Sequence, residues 1–194
     1  IMNFITSMFC DFMLLVIDNG SIFTREIIKI LSENQTKYSI STFDKVVQQN
    51  LNEFDSYILS GRRKNDKQMN ALNSEIINHA ISENKSLLGI CYGAEILALT
   101  LGGTIRKSDE TVKGLHKVNI TAVNPLFEKD IQVYQSHSYE IAKLGDELES
   151  FASSDTCKHE IIRHHDLPLF GTQFHPEMSK DGQLLIESFL KIIH

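Results

Sequence analysis

The apolar positions of this chain follow two patterns, and the change falls near residue 103. In the first part, short uninterrupted apolar runs alternate with longer stretches of helical spacing. Residues 13–17, Met-Leu-Leu-Val-Ile, predict a strand buried on both faces. Asp18, Asn19, Gly20 and Ser21 follow as a turn of helix-capping residue types, and residues 22–33 then carry Ile22, Ile27, Ile30 and Leu31 at helical spacing. Residues 38–43 alternate as a strand does, and residues 55–61 predict a third strand running into a loop. Residues 68–84 place Met69, Leu72, Ile76, Ile77, Ala80 and Ile81 on one helical face. Another apolar run ends at Gly89, and a helix follows from Gly93 to about Leu101.

Beyond residue 103 the pattern breaks into short strands near 103–107, 115–123, 131–134, 148–153, 159–164 and 168–173, with a last helix at about 180–193. Strands alternating with helices predict an α/β fold with a doubly wound, mostly parallel sheet. The later strands predict a small antiparallel extension of it. No repeat or linker divides the chain, so residues 13–194 are read as one domain. Residues 1–12 are read as an N-terminal extension. Their apolar character does not make a membrane span or secretory leader: the stretch holds Asp11, lacks a basic start and is too short to span a bilayer.

A hydrophobic fraction of 42% fits a soluble globular protein, and a net charge of −6 argues against nucleic acid or an anionic membrane as partner. Three scattered cysteines, an odd number, do not make a disulfide framework and favour a cytoplasmic setting. No phosphate-binding glycine loop or dinucleotide fingerprint is present, so no cofactor is expected. His159, His164 and His165 lack zinc-site spacing and are read as exposed strand histidines, and no metal is expected.

Cys91 stands between Gly89 and Gly93, where the strand gives way to the helix. Two glycines permit close backbone approach and unusual dihedrals, and the helix start directs its free N–H groups and positive end at the sulfur. Such a site lowers a thiol pKa and makes a nucleophile elbow. The alternative is a packing cysteine, since unpaired cysteines are usually buried. A nucleophile needs a base, and Gln173-Phe174-His175-Pro176-Glu177 offers one: Pro176 ends the strand, leaving His175 on a loop with Glu177 two residues on to orient it. Taken alone, that segment also reads as a helix start.

Together, Gly89-Ile90-Cys91-Tyr92-Gly93 and Gln173-Phe174-His175-Pro176-Glu177 resemble the two motifs of class I glutamine amidotransferases, over about residues 13–193. Leu101-Gly102-Gly103, Ser136-His137 and residues 152–157 are similar to the glutaminase portion of archaeal-type GMP synthetases. The resemblance implies a flavodoxin-like fold and a catalytic triad of Cys91, His175 and Glu177, hydrolysing L-glutamine through a cysteinyl thioester. It implies oxyanion N–H groups from Tyr92 and Arg62, and substrate contacts from Gly61, Glu95, His137, Ser138 and Tyr139. Ammonia would pass to a synthetase subunit of the ATP pyrophosphatase type. Other synthetases such as anthranilate synthase, a stand-alone γ-glutamyl amide hydrolase and an inactive binding protein remain open.

Two departures from the family pattern matter. The usual Gly-Gly-Pro loop reads Ser60-Gly61-Arg62-Arg63-Lys64, and arginine is disfavoured at residue 62 if positive φ is required there. Arg62, Arg63 and Lys64 read either as an anion grip or as a solvated loop. Glu95 stands where the family has glutamine; an ionised carboxylate only accepts hydrogen bonds and would repel a substrate carboxylate unless Arg62 or Arg63 compensates.

Overall fold

In the computed structural model, residues 12–46, 50–127 and 129–193 are described, so all of the expected N-terminal extension but Phe12 lies outside them. The chain runs β1 (Leu14–Asp18), α1 (Thr24–Glu33), β2 (Tyr38–Thr42), β3 (Ser56–Leu59), α2 (Lys67–Ser82), β4 (Ser86–Ile90) and α3 (Tyr92–Thr100). It continues through β5 (Thr104–Ile120), β6 (Ile131–Lys143), β7 (Leu148–Ser153), β8 (Ile161–His164), β9 (Leu169–Thr172) and α4 (Lys180–Ile192). Among the described residues, the nine strands form one sheet in the order β2-β1-β3-β4-β9-β8-β7-β5-β6.

Pairing is parallel from β2 to β9 and antiparallel from β9 to β6. The uninterrupted apolar runs of β1, β3 and β4 are explained by helices on both faces. Leu14, Val16, Ile58 and Leu88 join Ile27 and Leu31 of α1 and Phe189 of α4 in one core. Leu15, Ile17, Tyr57 and Leu87 join Met69 and Ile77 of α2 and Leu97 of α3 in the other. Asp66 caps α2, its side chain accepting from the Met69 N–H at 2.9 Å, and Ser179 does the same for α4 toward Gly182 at 3.3 Å.

Several sequence expectations are corrected here. The stretches near 103–107 and 115–123 belong to a single 17-residue strand, and the one near 131–134 continues to Lys143. Residues 168–173 are not part of the antiparallel extension alone: β9 lies parallel to β4 on one side and antiparallel to β8 on the other. Ile22 does not join the helical face. Gly20 N–H and Thr24 Oγ1–H both donate to Asp18 Oδ1, and the resulting turn leaves Ile22 63% exposed before α1 begins. His159 and His164 are buried rather than exposed. His164 Nδ1 accepts from the N–H groups of Asp166 and Leu167, which holds the ring inside the turn after β8.

Candidate active site

The site forms where β4 and β9, paired in parallel, both end. Cys91 is the first residue after β4, its N–H bonded to Thr172 O at 2.7 Å. Its backbone sits at φ 51° and ψ −102°, a region a residue bearing a Cβ rarely occupies. The unusual dihedrals thus fall on the cysteine itself, while the two glycines serve close approach. A Cβ at Gly89 would meet the Gly93 carbonyl carbon at 2.5 Å, and one at Gly93 would clash with Leu59 O. The turn that carries the sulfur is therefore held tight, β4 close against the start of α3 and α3 close against β3. Tyr92 opens α3, so its N–H lacks an intrahelical acceptor and faces the same end of the helix as Cys91.

His175 lies just past β9, its N–H bonded to Tyr134 O of β6 at 2.8 Å. Pro176 starts a single 3-10 turn, Pro176–Met178, which folds Glu177 back so that Oε1 lies 2.9 Å from His175 Nδ1. The other ring nitrogen is thereby left for Cys91, whose sulfur interacts electrostatically with the imidazole. Burial works against a charged imidazole, but the Cys91 sulfur and the Glu177 carboxylate outweigh it and push the His175 pKa up to about 10. Cys91 from the first half of the chain and His175 with Glu177 from near its end are thus buried at one place.

Two further contacts fix the ring. Gly61 lies so close that a Cβ there would meet His175 Cε1 at 2.8 Å. Phe23, just before α1, packs edge-on with ring centroids 4.8 Å apart. Nothing in the sequence around Phe23 marked it for this role.

A cavity of about 340 Å³ opens beside Cys91, a volume suited to a small ligand. It is lined by Arg62, Arg63, Tyr92, Glu95, His137, Ser138 and Tyr139, all named in the sequence reading, and also by Asn65, Thr111 and Ser136, to which that reading assigned no substrate contact. Positive φ among described non-glycine residues is confined to Gln35, Asn84 and Cys91. Arg62 therefore carries no such strain, because the loop pairs with Gly20 in extended form instead. Its guanidinium stacks 4.3 Å over the Tyr92 ring and stands 3.7 Å from Glu95 Oε2. Arg63 and Lys64 are exposed, so the basic triplet divides between one inward arginine and two solvated residues.

Glu95 is buried, which raises its pKa; Arg62, the Gln173 amide and His175 oppose that rise. Gln173, itself fully buried, donates to Glu95 Oε1 and Tyr139 O and accepts from the Ile141 N–H, tying α3 to β6. His137 turns Nδ1 toward Tyr139 O at 2.9 Å, and burial lowers its pKa. Ser138 Oγ meets Thr111 Oγ1 at 2.8 Å across the β5–β6 hairpin.

The family model for class I glutamine amidotransferases matches residues 15–192. The chain belongs to that family. It is 30% identical over 193 residues to a glutamine-hydrolyzing GMP synthase subunit of Methanocaldococcus jannaschii, covering 93% of this chain and 97% of that relative. It is 32% identical over 123 residues to the corresponding protein of Pyrococcus furiosus, an alignment spanning 61% of this chain and 65% of that one. The crystal structure of a GMP synthase subunit protein from Thermoplasma acidophilum superposes with a TM-score of 0.84 at 28% identity, covering 94% of both chains. Among the described residues no helix is long and apolar enough to cross a membrane.

Proposed function

We propose that this amidotransferase hydrolyses the side-chain amide of L-glutamine at Cys91 and delivers the ammonia to a synthetase subunit that converts XMP to GMP. The observation that carries this reading is the Cys91–His175–Glu177 relay at the wall of a ligand-sized cavity. Similarity to GMP synthase subunits of two archaea supports the acceptor reaction.

In the proposed mechanism the Cys91 sulfur, its proton taken by His175, attacks the carboxamide carbon. The oxyanion is met by the Tyr92 N–H and by the backbone at Arg62. His175 returns the proton to the departing ammonia, and Glu177 keeps Nδ1 occupied so that the same nitrogen serves both transfers. Water, activated by His175, cleaves the thioester to glutamate. Gly61 and Phe23 hold the imidazole in line while this happens.

The test is covalent labelling of Cys91 by a diazo-ketone analogue of glutamine, read by intact mass with and without glutamine as competitor. Labelling that glutamine blocks, together with glutamine-dependent GMP formation when an ATP-dependent XMP-aminating subunit is added, is the expected result. Cys91→Ala should abolish both. Labelling that glutamine does not block would move the assignment to another γ-glutamyl amide, and no labelling at all would refute it.

A further inference from the structure

Resting on the glutaminase reading, we propose that Asn19, Ser60 and Asn73 form a buried clasp that aims the Arg62 N–H at the developing oxyanion, which makes them positioning residues for turnover rather than for substrate binding. Ser60 and Gly61 carry the chain out of β3 toward Arg62, which forms part of the wall of the Cys91 cavity. Gly61 leaves the peptide that joins it to Arg62 free to rotate, because a residue without a Cβ accepts many backbone angles. An oxyanion donor is useful only when its direction is set before the charge develops. Something must hold that peptide.

Ser60 does so through one hydroxyl with two bonds. The Asn19 N–H can only donate, so at 2.9 Å it occupies a lone pair of Ser60 Oγ. The hydroxyl proton is left for Gly61 O, also at 2.9 Å. In a trans peptide the carbonyl oxygen and the next N–H lie in one plane and point opposite ways. Holding Gly61 O toward the Ser60 hydroxyl therefore holds the Arg62 N–H away from it. Gly61 abuts the His175 ring, so the plane that is fixed stands beside the base.

The hydroxyl is in turn backed by a reciprocal amide pair. Asn19 Nδ2 donates to Ser60 O at 3.1 Å and to Asn73 Oδ1 at 3.1 Å, and Asn73 Nδ2 donates back to Asn19 Oδ1 at 2.8 Å. The second hydrogen of Asn73 Nδ2 goes to Met69 O, one turn earlier in α2, at 2.8 Å. All four amide hydrogens are paired, and the carbonyl acceptors Ser60 O and Met69 O keep either amide from turning over. Asn19, Ser60 and Asn73 are all buried, and a fully satisfied buried network is rigid. Asn19 stands among helix-capping residue types, yet α1 takes no side-chain cap; the amide turns inward to the loop instead. Gly61 and Met69, which the clasp holds, do not line the Cys91 cavity, so loosening it should misdirect the donor and spare the pocket.

The experiment sets glutamine hydrolysis against labelling of Cys91 by the diazo-ketone analogue. In the labelling step the sulfur displaces dinitrogen from the protonated diazo carbon and forms a thioether; the neighbouring carbonyl oxygen stays uncharged and needs no oxyanion donor. Ser60→Ala should lower kcat by about tenfold or more and leave both the KM for glutamine and the labelling rate within about threefold. The alkaline limb of the kcat/KM profile should stay in place, because Cys91, His175 and Glu177 keep their surroundings. Ser60→Cys puts a weaker donor in the same place, so its kcat should fall between those of the wild type and Ser60→Ala. It also carries the test if Ser60→Ala melts below the assay temperature. Asn73→Asp, which sets an acceptor against Asn19 Oδ1, should lower kcat in the same selective way. A kcat within about threefold of wild type in Ser60→Ala, or in Ser60→Cys where the alanine variant does not fold, would overturn the proposal. Equal losses in kcat and labelling would overturn it too, and would make the clasp a support of the whole site. These outcomes leave the glutaminase reading standing, whereas an unlabelled wild-type Cys91 overturns both.

Discussion

Strands β1, β3, β4 and β9 bury nearly every residue, whereas β5 on the antiparallel side exposes side chains along most of its length. The two parts of the sheet meet at β9, which pairs with β4 in one sense and with β8 in the other. Cys91 belongs to the parallel part and is placed by a tight turn between packed helices and strands. His137, Ser138 and Tyr139 belong to the antiparallel part and stand on a half-solvated hairpin. His175 is bound to both, through β9 and through its N–H to Tyr134 of β6. The parallel part therefore fixes the reacting atoms, and the antiparallel part walls the space in front of them. Substitutions that disturb Cys91, His175 or Glu177 should cost rate, and those on the hairpin should cost little or act on binding.

The largest effect is expected at Gly61. A methyl group there would lie 2.8 Å from His175 Cε1, so the ring or the loop must shift by several tenths of an ångström. Gly61→Ala should lower kcat by one to two orders of magnitude, since displacements of that scale cost of order a hundredfold in a preorganised site. The melting temperature should barely move, because Gly61 φ lies outside the range that needs glycine. An unchanged kcat would show slack in the ring's position and weaken the contrast between the two parts of the sheet.

Next in size is Glu177→Gln. The imidazolium of His175 is favoured by the Cys91 sulfur and by Glu177, which outweigh burial and push its pKa from 6.5 to about 10. Because the folded pKa is raised, the linked stabilisation is complete below pH 6.5 and is lost as pH rises through about 10. Replacing Glu177 removes one source of the shift. The alkaline limb of the kcat/KM profile should move to lower pH, and kcat should fall by roughly tenfold as orientation of the ring is lost. Melting temperature measured across the same range should begin to decline at lower pH than in the wild type. An alkaline limb that stays in place would assign the shift to Cys91 alone.

How much of this was readable from the sequence follows the same division. Residues 13–17 and 87–90 read as buried strands because helices cover both their faces, which leaves no polar position to blur the pattern. Cys91 and His175 were legible because glycine on one side and proline on the other punctuate the backbone where each strand stops. The hairpin had no such punctuation. Between Lys107 and Val112 the register slips: four residues of β5, 108–111, stand opposite the single residue Ser138 of β6 and bulge as a lip. No periodicity marks that slip, so Thr111 and Ser136 could not be placed at the cavity from sequence. Arg62 shows a different limit. Its basic neighbours read alike in sequence, and only Asn65, Asn70 and Tyr92, brought together by α2 and α3, turn it inward.

The smallest effect is expected at that lip. Thr111 Oγ1 and Ser138 Oγ share a 2.8 Å hydrogen bond at the cavity's exposed edge, where water can replace either partner. Thr111→Ala should cost no more than about 0.5 kcal/mol of stability and change the KM for glutamine less than threefold, with kcat unaffected. Denaturant midpoints and steady-state kinetics on the purified variant would check both numbers. Should KM rise tenfold or more while stability holds, the lip would be touching substrate. The antiparallel hairpin would then be a recognition element in its own right rather than a wall of the space in front of Cys91.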